Sequence, residues 1–207
     1  MNSLLDEIKR LKNTSISGIV KSRLDEFEEV GKSNSEKMFQ ELCFCILTAN
    51  FNAKRAINMQ KNIAEKFLSL SESEMATELK KLGHRFPNTR AKYIIEARKY
   101  LPEIDRLSCM EDRQAREHLV KNVKGLGYKE ASHFLRNIGR KNLAIIDFHI
   151  LDILDKNRLI KKPEKSMTRK LYFEIEHILE NLAKKTGLSL AELDLYLWFL
   201  ETGEILK

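Results

Sequence analysis

The chain has 207 residues and a formal net charge of +7, from 37 Lys plus Arg against 30 Asp plus Glu. That length buries a sizeable core, and the moderate basic excess favours a polyanionic partner, with a solvated Lys/Glu surface as the equal alternative on charge alone. Three cysteines, Cys43, Cys45 and Cys109, include no C-x-x-C pair, which excludes a thiolate zinc site, an iron–sulfur cluster and a disulfide framework; no metal and no cofactor are expected.

Residues 1–7 show neither a basic n-region nor an apolar h-region, and runs such as 42–47 are too short to cross a bilayer, so a cytoplasmic chain apart from membranes is expected. Three prolines and eight glycines, with no sustained period-two alternation, predict an all-α fold. Ser33, Asn34 or Ser35 caps a helix through Met38, Leu42, Cys45 and Ile46 that turns near Asn50. A second helix runs from Ala56 to Leu68, and a third opens at Ser71 or Ser73 and stops at Gly83. After the loop 84–88, a helix spans Thr89 to Tyr100, closed by Pro102, and acidic residues 111 and 112 start another through Leu119. Gly125-Leu126-Gly127 interrupts the pattern before a helix from Tyr128 to Ile138. An apolar connector, 143–146, leads to Asp147, placed to cap a helix through Ile150 and Leu154. The last two helices run through Leu171 to Leu182 and from the capping box Ser189-Leu190-Ala191-Glu192 through Trp198.

The glycine corner carries chemistry. Gly125 and Gly127 can both take positive φ and expose backbone N–H groups at a helix N-terminus that can hold a phosphate; an ordinary turn between helices is the plainer reading of a lone G-x-G. Lys129 lies in the first turn of the following helix, where the macrodipole disfavours a cation, and a neutral amine is a nucleophile able to form a Schiff base. A solvated surface lysine is the alternative. Asp147 serves as a cap, as a carboxylate that stabilises a developing oxocarbenium charge, or as both.

The run Gly125-Leu126-Gly127-Tyr128-Lys129-Glu130-Ala131, with Ile145-Ile146-Asp147-Phe148-His149-Ile150, resembles the helix-hairpin-helix-Gly/Pro-Asp motif of base-excision DNA glycosylases. The resemblance implies that Lys129 attacks the sugar C1′, that Asp147 assists, and that the resulting imine undergoes β-elimination. Residues 46–53 look like the family segment in which an amide fills the hole left by an extruded base, a role falling to Asn50. The missing cysteine cluster and the short leader before residue 33 make the chain similar to the short type 2 8-oxoguanine DNA glycosylase/AP lyases of prokaryotes, over essentially its whole length.

That resemblance implies two helical subdomains flanking a DNA-binding cleft, 33–136 with the hairpin, and 1–32 plus 137–207. It also implies a base pocket closed by the C-terminal end, with the terminal carboxylate of Lys207 accepting a hydrogen bond from the protonated N7 of the flipped base. Phe86 and Trp198 are candidate walls for the base, although Trp198 equally fits an apolar core. Arg90, Lys92 and His149, with Gly125 and Gly127, are candidate DNA contacts; Lys54 and Arg55 are further candidates, solvated surface being the even alternative for each side chain. The expected partner is duplex DNA bearing an oxidised purine, bound by a monomer without an obligate protein partner. A glycosylase for another lesion and a non-catalytic helix-hairpin-helix DNA-binding module stay open.

Overall fold

The computed structural model describes residues 2–164 and 166–207. Eleven α-helices account for the fold, and the described residues contain no strand. They are α1 (Asn2–Lys12), α2 (Ile16–Gly31), α3 (Ser35–Thr48), α4 (Ala53–Ile63), α5 (Glu72–Lys81), α6 (Pro87–Ala97), α7 (Asp112–Asn122), α8 (Tyr128–Asn137), α9 (Phe148–Lys156), α10 (Arg169–Thr186) and α11 (Leu190–Thr202). The all-α expectation therefore holds.

The caps read from sequence form as expected. Asn34, Ser71 and Ser189 each accept a backbone N–H of the first turn, and Glu74 and Glu192 reach back to complete two capping boxes. Two helices are shorter than their apolar patterns suggest. Ala64–Lys66 and Arg98–Glu103 are 3-10 turns continuing α4 and α6, the second with Pro102 inside it. A proline there cannot donate to the α-helical ladder, so the tighter turn takes over. The leader, read only as a short stretch before residue 33, forms α1 and α2. Leu4, Ile8 and Leu11 are buried at i, i+4, i+7 spacing.

Two large apolar clusters result. One is built from residues 38–143 around α3, every residue of which from Leu42 to Leu47 is fully buried. The other joins both ends of the chain, packing Leu4 and Ile8 of α1 against α9, α10 and α11. No helix is long and apolar enough to cross a membrane among the described residues.

A buried ion pair ties α7 to α10. Arg116, 0% exposed, donates from Nη1 to Glu176 Oε2 at 2.5 Å and from Nη2 to Oε1 at 2.8 Å, and also reaches Ser132 of α8. Glu176 Oε2 accepts the Ala144 N–H at 3.0 Å, and the Tyr172 hydroxyl donates to the Ala144 carbonyl at 2.7 Å. Both backbone polar groups of Ala144 are thus satisfied from α10, which fixes the connector that delivers Asp147. Removing one partner leaves a buried, uncompensated guanidinium, so Glu176→Ala should lower unfolding free energy by about 3–5 kcal/mol, read from urea denaturation followed by circular dichroism. A loss under about 1 kcal/mol would show the pair to be energetically marginal.

Candidate active site

Residues 123–127 turn α7 into α8. Gly125 has φ 92°, and a Cβ there would meet Tyr93 Cδ2 of α6 at 2.4 Å, so the corner is seated directly on an aromatic ring. Gly127 does not use that freedom: its φ is −93° with ψ −172°, an extended backbone open to any residue. Glu130 Oε2 accepts the Gly127 N–H at 3.1 Å and would lie 3.2 Å from a Cβ at this position. This bond satisfies an otherwise orphaned donor at the start of α8.

Lys129 is the second residue of α8. Its side chain is 24% exposed and its Nζ lies 3.5 Å from Glu130 Oε1. Asp147 caps α9, its Oδ1 accepting the Ile150 N–H at 3.0 Å. Burial pushes the Asp147 carboxyl above its ordinary value, while the Ile150 N–H and the charges of Lys129 and His149 pull it down. The lysine and the carboxylate therefore occupy one electrostatic neighbourhood, although they come from different helices eighteen residues apart. Around Asp147, His149 meets the Trp198 ring edge-on at 4.5 Å and lies tilted by 37° against Phe148 at 3.8 Å, Phe148 being 61% exposed. The buried indole Nε1 of Trp198 has no hydrogen-bond partner among the described residues.

On the other side, Asn50 is exposed at φ 55°, a left-handed conformation that asparagine tolerates. Arg90, expected to face a phosphate, instead turns inward: it is 8% exposed and its Nη2 donates to the Ala49 carbonyl at 2.5 Å. The α6 helix buries this position against the 48–52 turn, so its guanidinium supports Asn50 from beneath. It also lies 6.0 Å from the Phe86 ring centroid and 5.8 Å from that of Tyr93, joining the Asn50 turn, Phe86 and the ring under Gly125. Lys92 is exposed on the same helix. Lys54 and Arg55 are exposed, with Lys54 paired to Glu204 at 2.7 Å and Arg55 donating to the Gly83 carbonyl at 2.9 Å.

Three buried polar residues near the lysine were not singled out from sequence. His133 and Arg136 follow Lys129 at i+4 and i+7, so one face of α8 carries all three. His133 is 7% exposed, and neither ring nitrogen has a hydrogen-bond partner in good geometry among the described residues. Burial, then the charges of Arg136 and Lys129, drive its imidazole well below the ordinary value, so it is neutral. Asp194 of α11 sits 3.7 Å from Arg136 Nη2. Burial pushes the Asp194 carboxyl up to about 7, with Asp147 adding to the rise and Arg136 and Lys129 opposing it. An aspartate at the second position of the otherwise apolar run Leu193 to Leu200 was the signal available for it. Among the described residues, no cluster of His, Cys, Asp and Glu is arranged to hold a metal ion.

With this geometry in place, comparison with known proteins is direct. A family model described as 8-oxoguanine DNA glycosylase matches residues 20–188. The chain belongs to the 8-oxoguanine DNA glycosylase family. Among relatives in that family, the 8-oxoguanine DNA glycosylase/AP lyase of Korarchaeum cryptofilum is 49% identical, with 100% of this chain and 99% of the relative aligned. The crystal structure of the Methanocaldococcus jannaschii 8-oxoguanine glycosylase/lyase, in complex with a 15mer DNA containing 8-oxoguanine, superposes with TM-score 0.97 at 47% identity, covering 99% of this chain and 100% of that one. The 8-oxoguanine DNA glycosylase of Thermotoga maritima superposes with TM-score 0.95 at 41% identity, over 100% and 99% of the two chains.

For this family member, the raised Asp194 gives a pH signature. A carboxyl whose folded value exceeds its unfolded value contributes stability that is fully present below about pH 4 and is lost as pH rises through about 7. Asparagine does not titrate. The melting temperature of wild type minus that of Asp194→Asn should therefore fall between pH 5 and pH 8, and a constant gap would mean that Asp194 is already ionised at the lower pH.

Proposed function

We propose that this protein excises 8-oxoguanine from duplex DNA and cleaves the strand at the resulting site, with Lys129 as nucleophile and Asp147 as its carboxylate partner. The observation that carries this reading is the shared neighbourhood of a first-turn lysine behind a glycine corner and a partly buried carboxylate capping the next helix. The relatives' names favour this lesion, and the proximity of Lys129 and Asp147 favours these roles.

In this reading the two helical bodies, 33–136 and 1–32 plus 137–207, form the walls of the DNA cleft. The glycine corner and the start of α8 hold a backbone phosphate through N–H groups. Asn50, supported by Arg90, occupies the space left by the extruded nucleotide, while Lys92 and His149 neutralise phosphates. The flipped base lies among Phe86, Trp198 and Lys207, where aromatic surface replaces lost stacking. Lys129 Nζ, in its uncharged form, bonds to C1′ as the C1′–N9 bond breaks and the base departs with the electron pair. Asp147 stabilises the positive charge developing on the sugar and takes the proton released by the amine. Ring opening gives an imine between Lys129 and C1′. Loss of a C2′ proton then expels the 3′ phosphate by β-elimination, and water hydrolyses the remaining imine to free the lysine.

Borohydride trapping on duplex DNA containing 8-oxoguanine tests the assignment. Wild type should yield a covalent protein–DNA adduct and Lys129→Gln none, with duplex affinity retained; an undiminished adduct in the variant would remove Lys129 from the chemistry. Asp147→Asn should bind the same duplex while its single-turnover excision falls by on the order of 10²-fold or more. The reading fails for Asp147 if turnover is unchanged.

A further inference from the structure

Glu41 is a charged residue in the wrong kind of place. It is 2% exposed, on a helix whose neighbouring positions from Leu42 to Leu47 are fully buried and apolar or cysteine. A lone carboxylate there would be costly, so its partners must explain it. Oε2 accepts from Asn137 Nδ2 at 3.1 Å, at the end of α8. Oε1 accepts from Gln60 Nε2 of α4 at 3.0 Å and from Lys207 Nζ at 2.5 Å. Gln60 Oε1 accepts from the same ammonium at 2.7 Å, so the amide bridges cation and anion. Lys207, 166 positions away in sequence, is the cation that neutralises Glu41.

The clamp adjoins the functional face of α8. Lys207 Nζ lies 4.8 Å from the Phe44 ring centroid, and Phe44 meets His133 edge-on at 5.6 Å. His133 is one turn beyond Lys129, and the Lys207 charge is among those acting on it. Ahead of the clamp, Gly203 ends α11 at φ 75°, and Thr202 Oγ1 donates to the Trp198 carbonyl at 2.7 Å and accepts the Glu204 N–H at 3.3 Å. The segment from 203 to 207 is therefore held at its start by the end of α11 and at its far end by Glu41.

We propose that Glu41, with Gln60 and Asn137, is a positioning residue for lesion recognition: by clamping the Lys207 ammonium it holds the 203–207 segment across the base pocket beside His133. The inference rests on the reading above that Lys207 lines that pocket. Glu41 itself touches no reacting atom, and its effect is confined to substrates that carry a base.

The discriminating experiment compares two single-turnover reactions of the full-length protein: excision of 8-oxoguanine from duplex DNA, and strand cleavage at a pre-formed abasic site, which fills no base pocket. Glu41→Gln should lower excision tenfold or more while abasic-site cleavage stays within threefold. Gln60→Met, which removes the bridging amide but keeps the carboxylate, should shift the ratio in the same direction and decides the matter should Glu41→Gln fail to fold. Glu41→Gln introduced into a Lys207→Met background should produce no further loss, because the contact through which it acts is already gone. Equal losses in both reactions, or losses that multiply in the double variant, would overturn the proposal in favour of a generally structural Glu41. Trp198→Ala separates this inference from the reading beneath it. A selective excision defect in Trp198→Ala with an unaffected Glu41→Gln removes only the clamp, whereas equal effects of Trp198→Ala on both reactions remove the pocket itself.

Discussion

The bidentate pair between Arg116 and Glu176 is the contact on which the relative placement of Lys129 and Asp147 depends. It joins α7, which enters the glycine corner, to α10, which holds the connector entering Asp147. A charge pair of this kind contributes modest net stability compared with apolar packing of equal volume, but it tolerates no substitute geometry. Two planar groups with matched donors and acceptors admit one mutual orientation. The lysine and the carboxylate thereby acquire a fixed relation, although their helices belong to different apolar clusters.

Polar burial is concentrated around that relation. Arg136, Asp194, His133, Glu41, Gln60 and Asn137 are all nearly inaccessible, and several of their atoms have no partner among the described residues. Unsatisfied buried groups are costly, and a pure core would avoid them. Their gathering on and around one face of α8 gives a site where positive and negative groups alternate in a low-dielectric setting. Small displacements of charge are there felt strongly.

Much of this was legible beforehand. Serine and asparagine caps, the glycine corner and Asp147 at a helix start are local devices, dictated by residues within four positions of one another. Gly127 shows the limit of that logic, because its φ is negative and its backbone conformation is open to any residue. Arg90 shows a second limit. Its type suggested a phosphate contact, yet the packing of α6 turned it toward the Ala49 carbonyl. Leu4, Ile8 and Leu11 had helical spacing, but that pattern gained meaning only once α1 was seen against α10.

By itself the sequence determined the helical class, most element starts and the pair of residues proposed for the chemistry, because these follow from short-range hydrogen bonding, periodicity and motif. Only the tertiary structure decided that Glu41 is neutralised by Lys207, that Asp194 faces Arg136 and that His133 lies beside the C-terminal residues. These contacts join positions tens to more than a hundred residues apart. Burial, rather than local spacing, sets their energies, and burial exists only after the helices have packed.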